Sequence, residues 1–159
     1  TADIAVVTTP TVQAASLTET LVKPITEVAV CSPYFTALTG RQVSLADLVH
    51  FPLISLGKDT KSFAFFSGLF TEHGLPYQPD IEAFTADQIL PMVQADLGVG
   101  FVPEEFLQDS SGVCKIDLKE PIPKRHIALI KRKEQPLSVA ARELVHMILE
   151  QSESDALAV

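Results

Sequence analysis

Three turns in this sequence carry residues suited to holding a small anion. Each turn follows a predicted strand: Thr8 and Thr9, then Lys58, Asp59 and Thr60, then Thr85 and Ala86. The second and third turns lead into predicted helices, and a helix N-terminus presents unpaired N–H groups with roughly half a positive charge. Threonine hydroxyls add hydrogen-bond donors, and Lys58 adds a positive charge. The three turns are therefore a candidate site for a carboxylate or similar small anion.

The same threonines also have a purely structural explanation. Thr60 and Thr85 stand where helix N-caps are preferred. Thr8 and Thr9 precede Pro10 and can form an ordinary polar turn, although ligands of open α/β sheets do gather at the carboxyl ends of strands. One hydroxyl can cap a helix and still line a pocket, so the sequence leaves both interpretations open.

The segment Thr85–Phe106 is the most informative stretch of the chain. Thr85 and Gln88 fit a capping box, so a helix is expected to begin at Thr85. Apolar residues then recur at helical spacing, and Gly98 is expected to end the helix as a left-handed cap. Pro91 lies inside this helix and removes a backbone N–H, which predicts a kink or a frayed first turn.

Short apolar runs elsewhere predict an α/β sheet. The run 99–102 is typical of a parallel strand that is buried on both faces. Further strands are expected at 3–7 (buried), 21–31, 53–56, 79–84, 113–118 and 126–131. Helices are expected after Ser44, after Thr60 with a buried row of phenylalanines, and after Ser138, with a frayed tail beyond Gln151.

Several of these segments together resemble a known family. DLGVGFVPEEF at 96–106, DIAVVTTP, SLADL with PLI, and PLSVAARELVHMI are similar to the effector-binding domain of LysR-type transcriptional regulators. The resemblance implies an α/β fold of the two-lobed type 2 periplasmic-binding-protein-like class, with Rossmann-like lobes.

The resemblance also implies a division of the chain. Residues 27–125 would form lobe II, and residues 1–26 with 126–159 would form a remnant of lobe I. By the family's pattern, an opening strand, helix, strand and helix have no counterpart here, and neither does the winged helix-turn-helix that binds DNA. The chain begins at Thr1 as if inside a strand, so we expect a processed chain or a fragment.

The function that the resemblance implies is sensing. A small metabolite would bind in the cleft between the lobes, lined by the three turns, and would shift the balance between two lobe arrangements. A dimer or tetramer would pass that shift to DNA through a domain that this chain lacks. The net charge of −8 also argues against direct binding of a phosphate backbone, and the basic cluster 131–133 is too short to change that. A bacterial cytoplasmic regulator is the expected setting.

Other function classes have less support. A solute-binding protein of the same fold is the main alternative, but it needs an export signal, and the chain does not open with a basic segment followed by an apolar one. An enzyme is not predicted, because there is no GxSxG elbow and no P-loop. The four histidines are scattered, so neither a metal nor a cofactor is predicted. No apolar run is long enough to cross a membrane.

The two cysteines, Cys31 and Cys114, each sit in an apolar run and lie outside any CxxC spacing. We expect both to be reduced core residues. A disulfide between them would require the fold to bring the two residues together.

Overall fold

The computed structural model describes the backbone of residues 2–157 and the side chains of residues 2–154. Its strands are β1 (Ile4–Thr8), β2 (Leu17–Ile25), β3 (Glu27–Cys31), β4 (Gln42–Val43), β5 (Ile54–Leu56), β6 (Ile81–Ala83), β7 (Gly100–Pro103), β8 (Cys114–Lys115), β9 (Asp117–Leu118) and β10 (Arg125–Arg132). Its α-helices are α1 (Leu45–Leu48), α2 (Lys61–Glu72), α3 (Ile89–Gln94) and α4 (Val139–Leu157). Among the described residues, no helix is both long enough and apolar enough to cross a bilayer.

The chain divides into two compact units. Unit 1 comprises Thr1–Ile25 and Arg125–Val159, and unit 2 comprises Thr26–Lys124. The polypeptide thus leaves unit 1 after β2 and returns to it at the start of β10. Together with the mixture of helices and strands, this division makes the fold a two-lobed α/β fold.

Unit 1 is an antiparallel sheet in the order β1-β10-β2, packed against α4. The predicted N-cap of α4 is confirmed, since Ser138 Oγ accepts a hydrogen bond from Ala141 N–H at 3.2 Å. The same hydroxyl donates to Asp3 Oδ2 at 2.8 Å. Ser152 Oγ donates to the carbonyl of Val22, which ties the later turns of α4 to β2.

Two expectations for unit 1 were wrong. The strand predicted to be buried at 3–7 lies at the edge of the sheet that the described residues form, paired with β10, and its Val6 is 53% exposed. The chain was also expected to fray beyond Gln151, but α4 continues in helical geometry through Leu157. The final two positions, which that expectation also covered, lie outside the described residues.

Unit 2 is built on the sheet β7-β3-β8, which has a hydrophobic core on each face. All of β3 is buried because its side chains alternate between the two cores. Ala29 faces the core that α2 fills with aromatic rings, and there Phe66 and Phe101 stack with their ring centroids 4.5 Å apart. Val28 faces the second core, which includes Val93 of α3. The predicted phenylalanine row of α2 is therefore a core element.

The strand predicted at 99–102 is buried as expected, but its main pairing is not parallel. Strand β7 runs antiparallel to β3, and the parallel contact on its other side is a single bridge between Leu53 and Val99. Parallel pairing is found instead between β5 and β6 and between β4 and β9. An apolar run shows that a strand is buried but carries no information about the direction of its neighbours.

The helix predicted to begin at Thr85 is divided. A 3-10 turn at Ala86–Gln88 precedes α3, which confirms the predicted frayed first turn. Pro91 lies in the first turn of α3, where the missing N–H has no intrahelical partner to lose. The tighter 3-10 turn therefore accommodates this proline.

The predicted cap at Gly98 was wrong, because α3 ends earlier. The residue in the left-handed conformation is Asp96, with φ of 63°, and Leu97 N–H bonds back to the carbonyl of Met92 at 3.2 Å. Gly98 has a different role, since a Cβ atom there would lie 2.5 Å from the carbonyl oxygen of Pro52. A close approach of two backbone segments therefore explains this glycine.

Candidate functional site

Two of the three predicted turns lie at one edge of unit 2. Strands β5 and β6 are parallel and in register, with Leu56 opposite Ala83 at their carboxyl ends. The chain leaves β5 into the turn 57–60 and leaves β6 into the turn 84–86. The structure thus brings Lys58, Asp59 and Thr60 to the same sheet edge as Thr85 and Ala86, which is where open α/β sheets bind ligands.

Thr60 is the N-cap of α2. Its Oγ1 accepts a hydrogen bond from Phe63 N–H at 3.1 Å and donates to the carbonyl of Gly57 at 2.7 Å. The hydroxyl proton is therefore committed to the turn, and the hydroxyl can offer a ligand only acceptor capacity. The positive end of the α2 dipole nevertheless lies at this position, because α2 begins at Lys61.

Thr85 occupies the equivalent position after β6. Gln88 Oε1 accepts hydrogen bonds from Phe84 N–H at 2.9 Å and from Thr85 N–H at 3.3 Å. The capping box predicted for Thr85 and Gln88 is confirmed. Thr85 and Ala86 are both exposed on the turn, so each is accessible to a solute that approaches this edge.

The charged residues of the first turn are also accessible. Lys58 and Asp59 are exposed, which allows the Lys58 ammonium group to approach an anion without any loss of packing. Asp59 adds a negative charge beside it. Lys58 and the N-terminus of α2 therefore favour an anion at this edge, whereas Asp59 disfavours one.

The structure adds Glu82 and Phe84 to this edge. A Cβ atom on Gly57 would lie 3.0 Å from Glu82 Oε1, so the carboxylate of β6 reaches over the first turn. Phe84 precedes the second turn and is 91% exposed. The alternation in the segment 79–84 predicts which residues share a face, but only the parallel pairing of β5 and β6 shows that Glu82 reaches Gly57.

A polar pair in the same unit joins a buried serine to a partly buried tyrosine. Tyr77 interacts with Ser55 of β5, and burial raises the pKa of Tyr77 to about 12. The phenol therefore stays protonated at neutral pH. Ser55 Oγ also donates to the carbonyl of Leu56 at 3.1 Å.

Thr8 and Thr9 lie in unit 1, at the end of β1. Thr9 Oγ1 accepts a hydrogen bond from His126 N–H at 2.8 Å, and its carbonyl accepts one from Arg125 Nε at 2.6 Å. Thr9 is followed by a cis peptide bond to Pro10. These contacts give Thr9 a structural role in joining β1 to β10, and Thr8 pairs with Ile127 in the same ladder.

The comparisons with known proteins agree on the family. The model of the LysR substrate binding domain matches residues 1–153. The HTH-type transcriptional regulator YwbI of Bacillus subtilis is 32% identical over 145 residues, which cover 88% of this chain and 47% of YwbI. The chain therefore spans about half the length of this curated relative.

Solved structures show the same fold. The CcmR regulatory domain of Synechocystis PCC6803 in complex with 2-PG superimposes with a TM-score of 0.82 at 14% identity, covering 94% of this chain and 73% of that one. The effector binding domain of QuiR in complex with shikimate gives a TM-score of 0.81 at 16% identity, covering 96% of this chain and 72% of that one.

The family resemblance suggested by the sequence motifs is thus confirmed by a match over nearly the whole chain. The matched domain belongs to transcriptional regulators and is not an enzyme. This chain belongs to the LysR substrate-binding domain family.

Proposed function

We propose that this domain binds a small anionic metabolite, with unit 2 acting as lobe II and unit 1 as the remnant of lobe I. The observation that carries the proposal is the parallel pairing of β5 with β6. It brings the N-terminus of α2, Lys58 and the Thr85 turn to one sheet edge. Two similar domains bind small molecules, 2-PG in CcmR and shikimate in QuiR, which supports a small-molecule effector.

Lys58 carries a full positive charge in the turn between β5 and α2, so it provides a sharp test. A panel of small carboxylates is screened by thermal shift, and hits are titrated by calorimetry. A ligand at 100 times its Kd stabilises the folded state by about 2.7 kcal/mol, which is readily measured. We expect Lys58→Ala to weaken binding by about 1–2 kcal/mol, or roughly 5–30-fold in Kd.

Lys133→Ala is the matched control, since it removes the same charge from an exposed position in unit 1. For the hydroxyl of Thr85, the variant Thr85→Val is compared with Thr71→Val, which lies near the C-terminal end of α2 and is exposed. Equal affinity for a carboxylate and its neutral amide analogue would contradict anion recognition. An unchanged Kd in both Lys58→Ala and Thr85→Val would show that the ligand does not bind at this edge.

Glu82 restricts which anions fit. Its carboxylate lies close to Gly57, in the turn before α2, and would repel any negatively charged group of the ligand that lies next to it. A hydroxyl or ammonium group on the ligand would instead donate to it. We therefore expect effectors that combine one anionic group with a donor, and we expect Glu82→Gln to reduce the preference for the donor-bearing ligand over its deoxy analogue.

Self-association as a dimer or tetramer is part of the same proposal. Unit 1 carries exposed large apolar side chains: Val6, Val12, Leu21, Val139, Leu144 and Met147. On α4, Leu144 and Met147 are three residues apart and therefore share a helix face. Size-exclusion chromatography with light scattering is expected to give at least a dimeric mass, and Leu144→Lys is expected to lower it. A purely monomeric mass at all concentrations would refute this.

We propose that DNA is contacted only through a winged helix-turn-helix domain outside this chain, and that the regulator acts in the cytoplasm. The net charge of −8 supports this, because binding to phosphates needs clustered cations. The solute-binding-protein alternative is not favoured, since the matched relative is a transcriptional regulator. If the isolated domain retards an unrelated DNA duplex in a gel-shift assay at physiological salt, this part of the proposal is contradicted.

A further inference from the structure

The two cysteines of the chain are brought face to face by the fold. Cys31 is the last residue of β3 and Cys114 is the first residue of β8, and they are direct partners in the antiparallel ladder. Cα atoms of directly opposite residues in such a ladder are about 4.5–5.5 Å apart. That separation falls inside the range of about 4.4–6.8 Å found in disulfides.

Three further observations support the pairing of the two cysteines. Both residues belong to the same hydrophobic cluster, in which Cys31 is fully buried and Cys114 packs against it. Burial raises the pKa of Cys31, and the nearby Cys114 thiol is a second, smaller cause of that rise. Two residues further along the same two segments, Ile116 N–H donates to the carbonyl of Ala29 at 2.8 Å, which continues the register.

We propose that Cys31 and Cys114 are a redox-active pair that forms a reversible disulfide across β3 and β8 when the protein meets hydrogen peroxide. The site lies in unit 2 and involves none of the residues of the proposed effector edge. Both thiols are free in the structure, which is the reduced form. In a reducing compartment such a bond would be transient and would report on peroxide.

The difference in exposure assigns an order to the chemistry. Cys114 is half-buried and is therefore the thiol that peroxide reaches, whereas Cys31 has no exposed surface. Burial raises the pKa of Cys31 to about 11, so this thiol stays protonated and is a poor first nucleophile.

The reaction proceeds in two balanced steps. The sulfur of Cys114 attacks one peroxide oxygen; an S–O bond forms, the O–O bond breaks, and the departing hydroxide takes the thiol proton to become water. The sulfur of Cys31 then attacks the resulting sulfenic acid; the S–S bond forms, the S–O bond breaks, and hydroxide leaves with the Cys31 proton as a second water. Two thiols are oxidised and one peroxide is reduced to two waters. A dithiol such as dithiothreitol reverses the outcome by exchange.

The test uses the folded wild-type protein and counts thiols. After peroxide treatment, the protein is denatured, alkylated with iodoacetamide and weighed as an intact chain. We expect both alkylation sites to be lost, an intact mass lower by two hydrogen atoms, a monomeric band on a non-reducing gel, and a cross-linked peptide containing Cys31 and Cys114. Dithiothreitol is expected to restore both sites.

Two variants serve as controls, and neither belongs to the effector edge. Cys31→Ala is expected to leave Cys114 unable to close the bond, so that peroxide yields oxygen adducts or covalent dimers. Cys114→Ser is expected to leave buried Cys31 unoxidised under the same treatment. The proposal is overturned if wild-type protein retains both alkylation sites, or accumulates stable oxygen adducts, or forms the cross-link only after unfolding in urea.

Discussion

Gly98 offers a direct test of how the two backbone segments of unit 2 are held together. A glycine after a helix is commonly a left-handed cap, yet at Gly98 an added Cβ would lie 2.5 Å from the carbonyl oxygen of Pro52. Val99 N–H donates to that same oxygen at 2.8 Å, so the two backbones are already in contact. The substitution Gly98→Ala should therefore be costly because of a backbone collision.

The expected magnitude follows from these contacts. Overpacking against a backbone that cannot move away costs about 1–3 kcal/mol. Weakening the hydrogen bond to Pro52 adds about 0.5–1.5 kcal/mol. We therefore expect Gly98→Ala to lower the free energy of unfolding by about 2–4 kcal/mol. For a chain of this size, that corresponds to a fall in Tm of about 4–16 °C.

Gly74 is the matched control, because it is a left-handed cap with open space around it. Its φ is +69°, and no atom lies within 4 Å of an added Cβ. Gly74→Ala should therefore cost only the backbone term of about 1–2 kcal/mol. The difference in the free energy of unfolding between the two alanine variants isolates the contribution of the close approach between Gly98 and Pro52.

Both variants are compared with wild type by urea unfolding followed by far-ultraviolet circular dichroism and by thermal melts. An unchanged slope of the urea transition would show that the compactness of the unfolded state is unaffected. If Gly98→Ala proves no more destabilising than Gly74→Ala, the collision with Pro52 does not determine the residue at this position and the reasoning is refuted.

Three other substitutions test separate parts of unit 2. Asp96→Gly should raise the free energy of unfolding by up to about 1 kcal/mol in urea melts, because glycine relieves the left-handed φ of 63° at the end of α3; a loss of stability would contradict this. Hydrogen bonds from Ser44, first from its backbone N–H, lower the pKa of Asp47 below its ordinary value of 3.8. A carboxyl with a lowered folded-state pKa contributes stability that is present above pH 3.8 and lost as the pH falls through the folded-state pKa. The Tm of Asp47→Asn should therefore vary less with pH than the Tm of wild type between about pH 5 and about pH 2. An identical dependence of Tm on pH in the two proteins would refute the coupling. Phe101→Ala should cost about 3–5 kcal/mol in the same urea assay, whereas the exposed control Phe84→Ala should change stability by less than about 0.5 kcal/mol.

Local signals in the sequence were sufficient for much of the fold. The capping residues Ser44, Thr85 and Ser138 act where they were predicted, because a cap depends on hydrogen bonds between residues three positions apart. The buried character of β5 and β7 followed from their apolar composition. The family itself was evident from the motif at 96–106 and its companions, and the match over residues 1–153 confirmed it.

The strand directions required the tertiary structure. An apolar run of four residues is compatible with either direction, so β7 was predicted as parallel although it pairs antiparallel with β3. The exposure of β1 likewise depends on what packs beside it and cannot be read from its five residues. The role of Gly98 was missed for the same reason, since Pro52 is distant in sequence.

For the candidate site, the sequence by itself determined which chemical groups are available: Lys58, the two helix-capping threonines and the turns that carry them. Only the tertiary structure decided which groups meet. The register of β5 with β6 brings Glu82 over Gly57, and the ladder between β3 and β8 sets Cys31 opposite Cys114. Local hydrogen bonding is encoded within a few residues, whereas pairing between strands depends on how the whole chain buries its apolar surface.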